Sequence, residues 1–162
     1  PDGDIVACGS QDNSVHFWRR STGLDAEMTG YQGKPSHLSF DESGTLLATS
    51  GSERITVWSF KGNGPEGTIP GELYHHTEPI SSLSFSNKGL FVASGSRDGS
   101  VVASFLREDG NGDPVGAAFA GDLVAAISWR PDDCAVGAIN AKGEVNVWEF
   151  KVNKSFSSNG FK

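Results

Sequence analysis

Short segments in which apolar and polar residues alternate recur along the whole chain. In residues 36–40, for example, leucine and phenylalanine alternate with histidine and serine. Clusters of Gly, Asn, Asp and Pro separate such segments and supply the backbone angles that tight turns need. Alternation with a period of two is typical of β-strands, and no segment has a convincing helical period. The sequence therefore predicts an all-β fold.

One of these segments is repeated four times. Its copies end at Trp18, Trp58, Ser104 and Trp148, with intervals of 40, 46 and 44 residues between the end positions. A period of about 40 to 50 residues indicates the blades of a β-propeller, or another array in which each unit buries its face against the next. An ordinary domain with a single core would leave this repetition unexplained.

The other strands of each unit can be placed from the same alignment. A first strand is predicted at residues 36–40, 80–85 and 124–129, and a second strand at residues 4–10, 45–50, 90–96 and 134–140. The outer fourth strand is expected at residues 26–29, 72–74 and 115–119, with a weaker candidate at residues 152–157. The first unit lacks its first strand. The expected blades are residues 1–30, 31–74, 75–119 and 120–150, followed by a polar tail at residues 151–162.

The units resemble WD40 repeats across about residues 1–150. The resemblance implies a partial WD40-type β-propeller of about three and a half four-stranded blades, as a fragment of a larger propeller. In that family a His, a Ser or Thr, an Asp and a Trp at fixed places in the repeat can join in a hydrogen-bond network. The third unit matches with His76, Ser94 and Asp98, but Ser104 replaces the Trp. The other matching positions are Asp12, Trp18, Trp58 and Trp148.

The copies of this network are incomplete. In the second unit Tyr31 stands at the His position and Thr49 at the Ser position, while the fourth unit keeps only Trp148. Because no unit has the full set, apolar packing between blades must carry more of the stability.

The third strands indicate how that packing is arranged. Their Val, Ile and Phe side chains point to one face of each blade, and the Trp side chains point to the other. Both faces are then apolar, as expected for blades held between neighbours. Ser104 predicts a weaker contact in the third blade, which Phe105 beside it is expected to relieve.

The family resemblance implies a non-catalytic scaffold that binds proteins or peptides on one rim. The rim positions are Gln11, Asn13, Tyr31, Lys34, Glu78, Arg97 and Lys142. Their mix of Tyr, Arg and Lys suits recognition, although an ordinary solvated rim would explain any one of them. The sequence does not identify the protein or peptide ligand. The remaining blades of a parent chain, or a second copy of this chain, are further candidate partners.

The alternative is a hydrolase-like propeller enzyme or a calcium-binding extracellular module. His76, Ser94 and Asp98 are the residue types of a catalytic triad, but no strained nucleophile turn accompanies them, so no catalytic residue is predicted. Asp109, Asn111 and Asp113 have the spacing of calcium ligands. Their loop lacks the sharp-turn glycine and the closing glutamate, which leaves them weak metal candidates, and no cofactor is expected.

Charge and hydropathy exclude several classes of partner. The net charge is −7 and the isoelectric point about 5.0, which argues against a surface that follows nucleic-acid phosphates. No apolar stretch is long enough to span a membrane. Without a secretory signal, we expect an intracellular protein of the cytoplasm or nucleus, with Cys8 and Cys134 as free, buried thiols.

Overall fold

The computed structural model describes residues 1–149, so the predicted tail at residues 151–162 and the weaker strand candidate at residues 152–157 lie outside the described residues. Within them the chain forms four antiparallel sheets, which confirms the all-β prediction. Among these residues no helix is long and apolar enough to cross a membrane.

Each sheet is built from strands that are consecutive in the chain. The first sheet holds β1 (Ile5–Gly9), β2 (Val15–Arg19) and β3 (Leu24–Met28). The second holds β4 (His37–Phe40), β5 (Leu46–Ser50), β6 (Arg54–Ser59) and β7 (Gly71–Tyr74). The third holds β8 (Ile80–Phe85), β9 (Phe91–Ser96), β10 (Ser100–Leu106) and β11 (Gly112–Phe119). The fourth holds β12 (Val124–Trp129), β13 (Ala135–Asn140) and β14 (Val145–Glu149).

Three apolar clusters hold neighbouring sheets together. Between the first and second sheets, Val15 and Phe17 pack with Trp58. Between the second and third, Ile55 and Val57 join a cluster with residues of β8, β9 and β10. A third cluster joins β9 and β10 to β12 and β13. Because successive residues of a strand point to opposite faces, both faces of the two middle sheets are buried, as the sequence predicts.

Glycine allows the sheets to approach closely at one junction in particular. A Cβ atom added to Gly95, in β9, would lie 2.4 Å from Cγ1 of Val124 in β12. That separation is far inside van der Waals contact, so any larger side chain would push the third and fourth sheets apart.

The outer faces of the two end sheets differ from the predicted pattern. Trp18 is 42% exposed, and Val145 and Val147 are 71% and 63% exposed. Cys8 is exposed too and Cys134 is half-buried, so the expectation of buried thiols is wrong, although both cysteines are free. The exposure of Cys8, Trp18 and the two valines has one reason: among the described residues, no sheet lies against the outer face of the first or the fourth sheet.

Phe105 lies on the opposite face of its strand from Ser104, which is fully buried. Phe105 contacts Phe91, at 5.3 Å between ring centroids, and Phe91 packs toward the fourth sheet. Since Phe105 follows Ser104 directly in the strand, the two side chains point to opposite faces. Phe105 therefore does not pack on the face that Ser104 occupies.

Candidate functional site

The rim residues predicted from the sequence lie at one common edge of the sheets. Antiparallel strands in sequence order place alternate connections at opposite ends, so the edge where the chain enters each first strand also carries the turns from second to third strand. We call it the entry edge. It consists of the connections at residues 10–14, 29–36, 51–53, 75–79, 97–99, 120–123 and 141–144.

A buried histidine organises the entry edge of the third sheet. The Nε2 atom of His76 lies 2.7 Å from the Ser94 hydroxyl, and its Nδ1 atom lies 2.6 Å from the Ser100 hydroxyl. The Ser100 hydroxyl donates in turn to Asp98. The backbone N–H and hydroxyl of Thr77 donate to the same carboxylate, at 3.0 and 3.1 Å. The network therefore ties the 75–79 loop to the turn between β9 and β10.

The hydrogen-bond donors in this network determine which nitrogen of the imidazole carries the proton. Because Ser100 gives its proton to Asp98, it accepts from Nδ1 of His76, and Nε2 then accepts from Ser94. Burial of the His76 ring, whose side chain is fully inaccessible, lowers its pKa to about 4, although nearby Asp98 favours the charged form. His76 is accordingly neutral at pH 7.

Asp98 keeps its charge for a different reason. Burial alone would raise its pKa, but the hydrogen bonds from Ser100 and Thr77 outweigh that effect and hold the pKa well below the usual range. A carboxylate that accepts several hydrogen bonds is a firm anchor for the turn that carries it.

The same geometry bears on triad chemistry. The Ser94 side chain is fully buried, and His76 meets Asp98 only through Ser100, since Nδ1 lies 4.0 Å from the carboxylate. A nucleophile needs access to its substrate and a base oriented by its own partner. What these residues do is fix the strands and loops that surround them.

The second and fourth units form comparable hydrogen-bond networks from different residues. In the second unit the Tyr31 hydroxyl lies 2.8 Å from Oγ1 of Thr49 and accepts from Nε1 of Trp58 at 2.6 Å. In the fourth unit the buried Asn140 donates to the carbonyl of Ala120 at 2.7 Å and accepts from two backbone N–H groups of the following turn. Both networks fasten an entry-edge loop to a sheet.

Two residues of these networks were missed from the sequence. Ser100 lies two positions after Asp98. At this spacing an Asp carboxylate commonly accepts the backbone N–H of the later residue, as Asp98 does from Ser100. This local pattern could have identified Ser100 as part of the network. Asn140 ends a strand directly before a turn, where Asn commonly bonds to the backbone two residues on.

The remaining predicted network residues act locally. Asp12 accepts from the backbone and hydroxyl of Ser14, at 3.1 and 2.6 Å, within the β1–β2 turn. Trp148 packs partly buried against the cluster between the third and fourth sheets. Trp18 stacks on His16 at the exposed face, with 6.2 Å between ring centroids.

An open cavity of about 560 Å³ lies at the entry edge between the second, third and fourth sheets. Lys34, Arg97 and the half-buried His37 contribute to its lining, and burial lowers the pKa of His37. Its wall also includes Ser50, which is 2% exposed and whose hydroxyl has no hydrogen-bond partner among the described residues. No Asp or Glu lines the cavity, although the chain has 20 acidic residues and 13 basic ones. The cavity is thus a cationic spot on an acidic protein.

The predicted rim residues differ in how they are placed. Lys34 and Arg97 are exposed and line the cavity. Tyr31 is half-buried and its hydroxyl is held inside the second unit, while Lys142 pairs with Asp122 at 3.0 Å. The other three rim residues are exposed on the entry-edge connections: Gln11, Asn13 and Glu78.

The weak metal candidates lie on a hairpin at the opposite edge. The Asp109 carboxylate accepts the backbone N–H of Asn111 at 2.9 Å, and Asp113 pairs with Arg107. Among residues 1–149, no group of three or more His, Cys, Asp or Glu side chains is placed to hold a metal ion. These contacts lie within the hairpin and connect its own residues.

The sequence and fold can be compared with those of known proteins. The family model described as "WD40: WD domain, G-beta repeat" matches residues 1–19 and 67–102. The chain is 34% identical over 106 residues to the "Periodic tryptophan protein 2 homolog" of Schizosaccharomyces pombe, covering 63% of this chain and 12% of that protein. It is 31% identical over 113 residues to the "COMPASS component SWD3" of Saccharomyces cerevisiae, covering 68% of this chain and 34% of that protein.

Solved structures show the same architecture at lower identity. "Structure of U3-55K" and "Crystal structure of RRP9 WD40 repeats" each superpose with a TM-score of 0.75 at 20% identity, covering 93% of this chain and 46% of the other. The chain thus spans less than half the length of each of these four proteins.

Proposed function

Because the chain carries repeats of the WD40 family, we propose that it is a non-catalytic scaffold that binds a protein or peptide segment at the entry edge. The relatives support such a role: one is named as a component of the COMPASS assembly. Fold alone does not fix function, so the proposal rests on the residues of this edge.

The observation that carries the proposal is the cationic cavity. Lys34 and Arg97 line it together, and within the part of the chain that the structure describes neither takes part in an ion pair. An unpaired Arg at a concave surface suits recognition of a carboxylate, which it can bind through two parallel hydrogen bonds. We therefore expect the bound segment to place an Asp or Glu side chain in the cavity.

The loops around the cavity are held firmly enough for recognition. The network of His76 fixes the 75–79 loop and the Arg97-bearing turn, and Tyr31 fixes the loop that leads to Lys34. A binding surface that is ordered before its ligand arrives loses less entropy on binding. These networks thus support binding, and not catalysis, as the use of the buried polar residues.

The expected setting is inside the cell. One relative is the "Probable cytosolic iron-sulfur protein assembly protein 1" of Mycosarcoma maydis, 33% identical over 101 residues. The two cysteines are free, which fits a reducing compartment.

A selection of peptides from a random library on the immobilised chain tests the proposal. We expect enrichment of peptides that contain Asp or Glu, and we expect Arg97→Glu and Lys34→Glu each to raise the dissociation constant about tenfold or more, since about 1.4 kcal/mol corresponds to a factor of ten.

Lys88→Glu is the matched control. It makes the same charge change at an exposed lysine in the β8–β9 turn, at the opposite edge. If Lys88→Glu weakened binding as much as Arg97→Glu, the effect would come from net charge and the assignment to the entry edge would be wrong. Failure of the library to yield any specific peptide would count against the proposal itself.

A further inference from the structure

A groove lies between the first and second sheets, at the place where the fourth strand of the second sheet stops short. That strand, β7, pairs only with residues 54–57 of β6, so Trp58 lies beyond its end. The chain instead runs through a loop at residues 60–70. The third sheet differs, since β11 accompanies β10 over its whole length. A space of about 310 Å³ therefore remains between the 60–70 loop and β3.

The floor of this groove is apolar. It is formed by Phe17, Met28 and Trp58, all of which are buried. The same three side chains belong to the cluster that joins the first sheet to the second. Their positions are therefore fixed by close packing, and the groove has a firm base.

The loop that forms one wall is ordered by its own hydrogen bonds. The backbone N–H of Gly64 donates to the carbonyl of Lys61 at 3.1 Å. The hydroxyl and the backbone N–H of Thr68 both donate to the carbonyl of Pro65, at 2.7 and 3.0 Å. Two consecutive tight turns thus shape the wall before any ligand arrives, which lowers the entropic cost of binding.

The rim of the groove is acidic. Glu27, in β3, and Glu66, in the loop, are both exposed, and no Lys or Arg is among the described residues that line the groove. Glu27 lies 3.4 Å from Nε2 of His16, whereas within residues 1–149 Glu66 takes part in no ion pair. An apolar floor below two carboxylates matches a side chain that has an aliphatic stem and a cationic end.

We propose that this groove binds a lysine or arginine side chain of a partner protein. The aliphatic stem lies on Met28 and Trp58, and the charged end pairs with the carboxylates of Glu27 and Glu66. Apolar burial of the stem and charge-assisted hydrogen bonds then act together. The groove shares no lining residue with the entry-edge cavity and has the opposite charge, so it is a second and separate surface.

The single methionine of the chain allows a direct test. Met28 lies on the groove floor, so a chain labelled with ¹³C at the methionine methyl group gives one NMR signal, and that signal comes from the groove. Three blocked heptapeptides serve as probes, and they differ only in the central residue, which is lysine, arginine or norleucine. Norleucine has the stem of lysine without the charge.

We expect the lysine or the arginine peptide to shift the Met28 signal in a saturable way. The norleucine peptide should bind about threefold more weakly or less, because that factor is typical of an exposed ion pair.

Glu66→Gln isolates the contribution of the charge, since it keeps the size of an exposed loop side chain. We expect it to weaken the binding of the charged peptide about threefold and to leave the norleucine peptide unaffected. Glu42→Gln is the matched control, because Glu42 is an exposed glutamate of the β4–β5 turn and does not line the groove. It should leave the binding of every peptide unchanged.

Three results would overturn the inference. The first is a Met28 signal that neither charged peptide shifts at any concentration at which the peptides dissolve. The second is equal binding of the norleucine peptide, which would show that the groove does not recognise the charge. The third is equal weakening by Glu42→Gln and Glu66→Gln, which would show an effect of net charge alone.

Discussion

Acidification should destabilise this protein through its buried histidine side chains, and His76 has the largest expected effect. The pKa of His76 is about 4 in the folded chain, against 6.5 for an unperturbed histidine. Between these values the unfolded state binds a proton that the folded state does not, so stability falls as the pH drops. The difference of about 2.5 pK units corresponds to about 3 kcal/mol, because each unit is worth 1.36 kcal/mol.

That amount is a large part of the stability of an ordinary domain, which is about 5–15 kcal/mol. The contribution of His76 is fully present above about pH 6.5 and is lost as the pH falls to about 4. Asp98 acts in a lower range, since its lowered pKa gives stability that is lost only below its unperturbed value of 3.8. Burial also lowers the pKa values of His37 and His75, so the contribution of His76 in the window between pH 6.5 and 4 is obtained by comparison with a variant that lacks this imidazole.

Urea unfolding at several pH values between 7 and 4 measures the effect. The wild-type chain should lose about 3 kcal/mol more across this range than His76→Gln, whose side chain cannot take up a proton. Comparison with this variant removes the contributions of the carboxylates and of His37 and His75, which both proteins share. An NMR titration of the His76 ring gives its pKa directly.

A ring that titrates near 6.5 in the folded protein would refute the reasoning. It would mean that solvent reaches the imidazole and that the hydrogen bonds to Ser94 and Ser100 do not hold it. Equal pH slopes in the wild type and in His76→Gln would lead to the same conclusion.

Three further predictions concern packing, buried polarity and metal binding. Gly95→Ala should lower the free energy of unfolding, measured with urea, by about 1–3 kcal/mol, because the new Cβ would lie 2.4 Å from Val124. Gly137→Ala is the control, since its Cβ would meet nothing closer than 3.9 Å. An equal loss of stability in both variants would contradict the packing argument. Ser104→Ala should raise the unfolding free energy by about 1 kcal/mol, since it removes a buried hydroxyl without a partner among the described residues, and a loss of stability would show that the hydroxyl is satisfied. Calcium should leave the melting temperature unchanged, whereas a rise that Asp109→Asn abolished would establish a site on that hairpin.

The sequence predicted the strands and their faces well, for a physical reason. Alternation of apolar side chains is a local property, so β8 and β12 begin and end where the alternation does. Glycine and asparagine marked the turns because those turns need positive φ, as at Asn13 and Gly99. The inward face of each middle strand followed from the same alternation.

What the sequence could not supply was the neighbour of each face. Trp18 and Trp58 stand at the same position of their repeats, yet one is exposed and the other buried, because only Trp58 has a described sheet against it. Phe105 was expected to relieve the contact at Ser104, but the two residues are adjacent in the strand, so their side chains point to opposite faces.

Within the candidate site, the sequence identified the anchor residues and missed the connecting ones. His76, Ser94 and Asp98 come together as one hydrogen-bond network, but through Ser100, whose part depends on the turn geometry. The cationic cavity was not foreseen, because Lys34 and Arg97 lie on different connections and meet only in the folded array. The role of the rim residues in binding stays a prediction.

Amide hydrogen exchange, measured with and without a peptide selected on the chain, tests the central claim most directly. The account predicts added protection in the entry-edge segments around Lys34 and Arg97, with the turns at the opposite edge unchanged. Protection confined to the opposite edge, at the turns of residues 86–90 and 130–134, would contradict the claim that the entry edge is the binding surface.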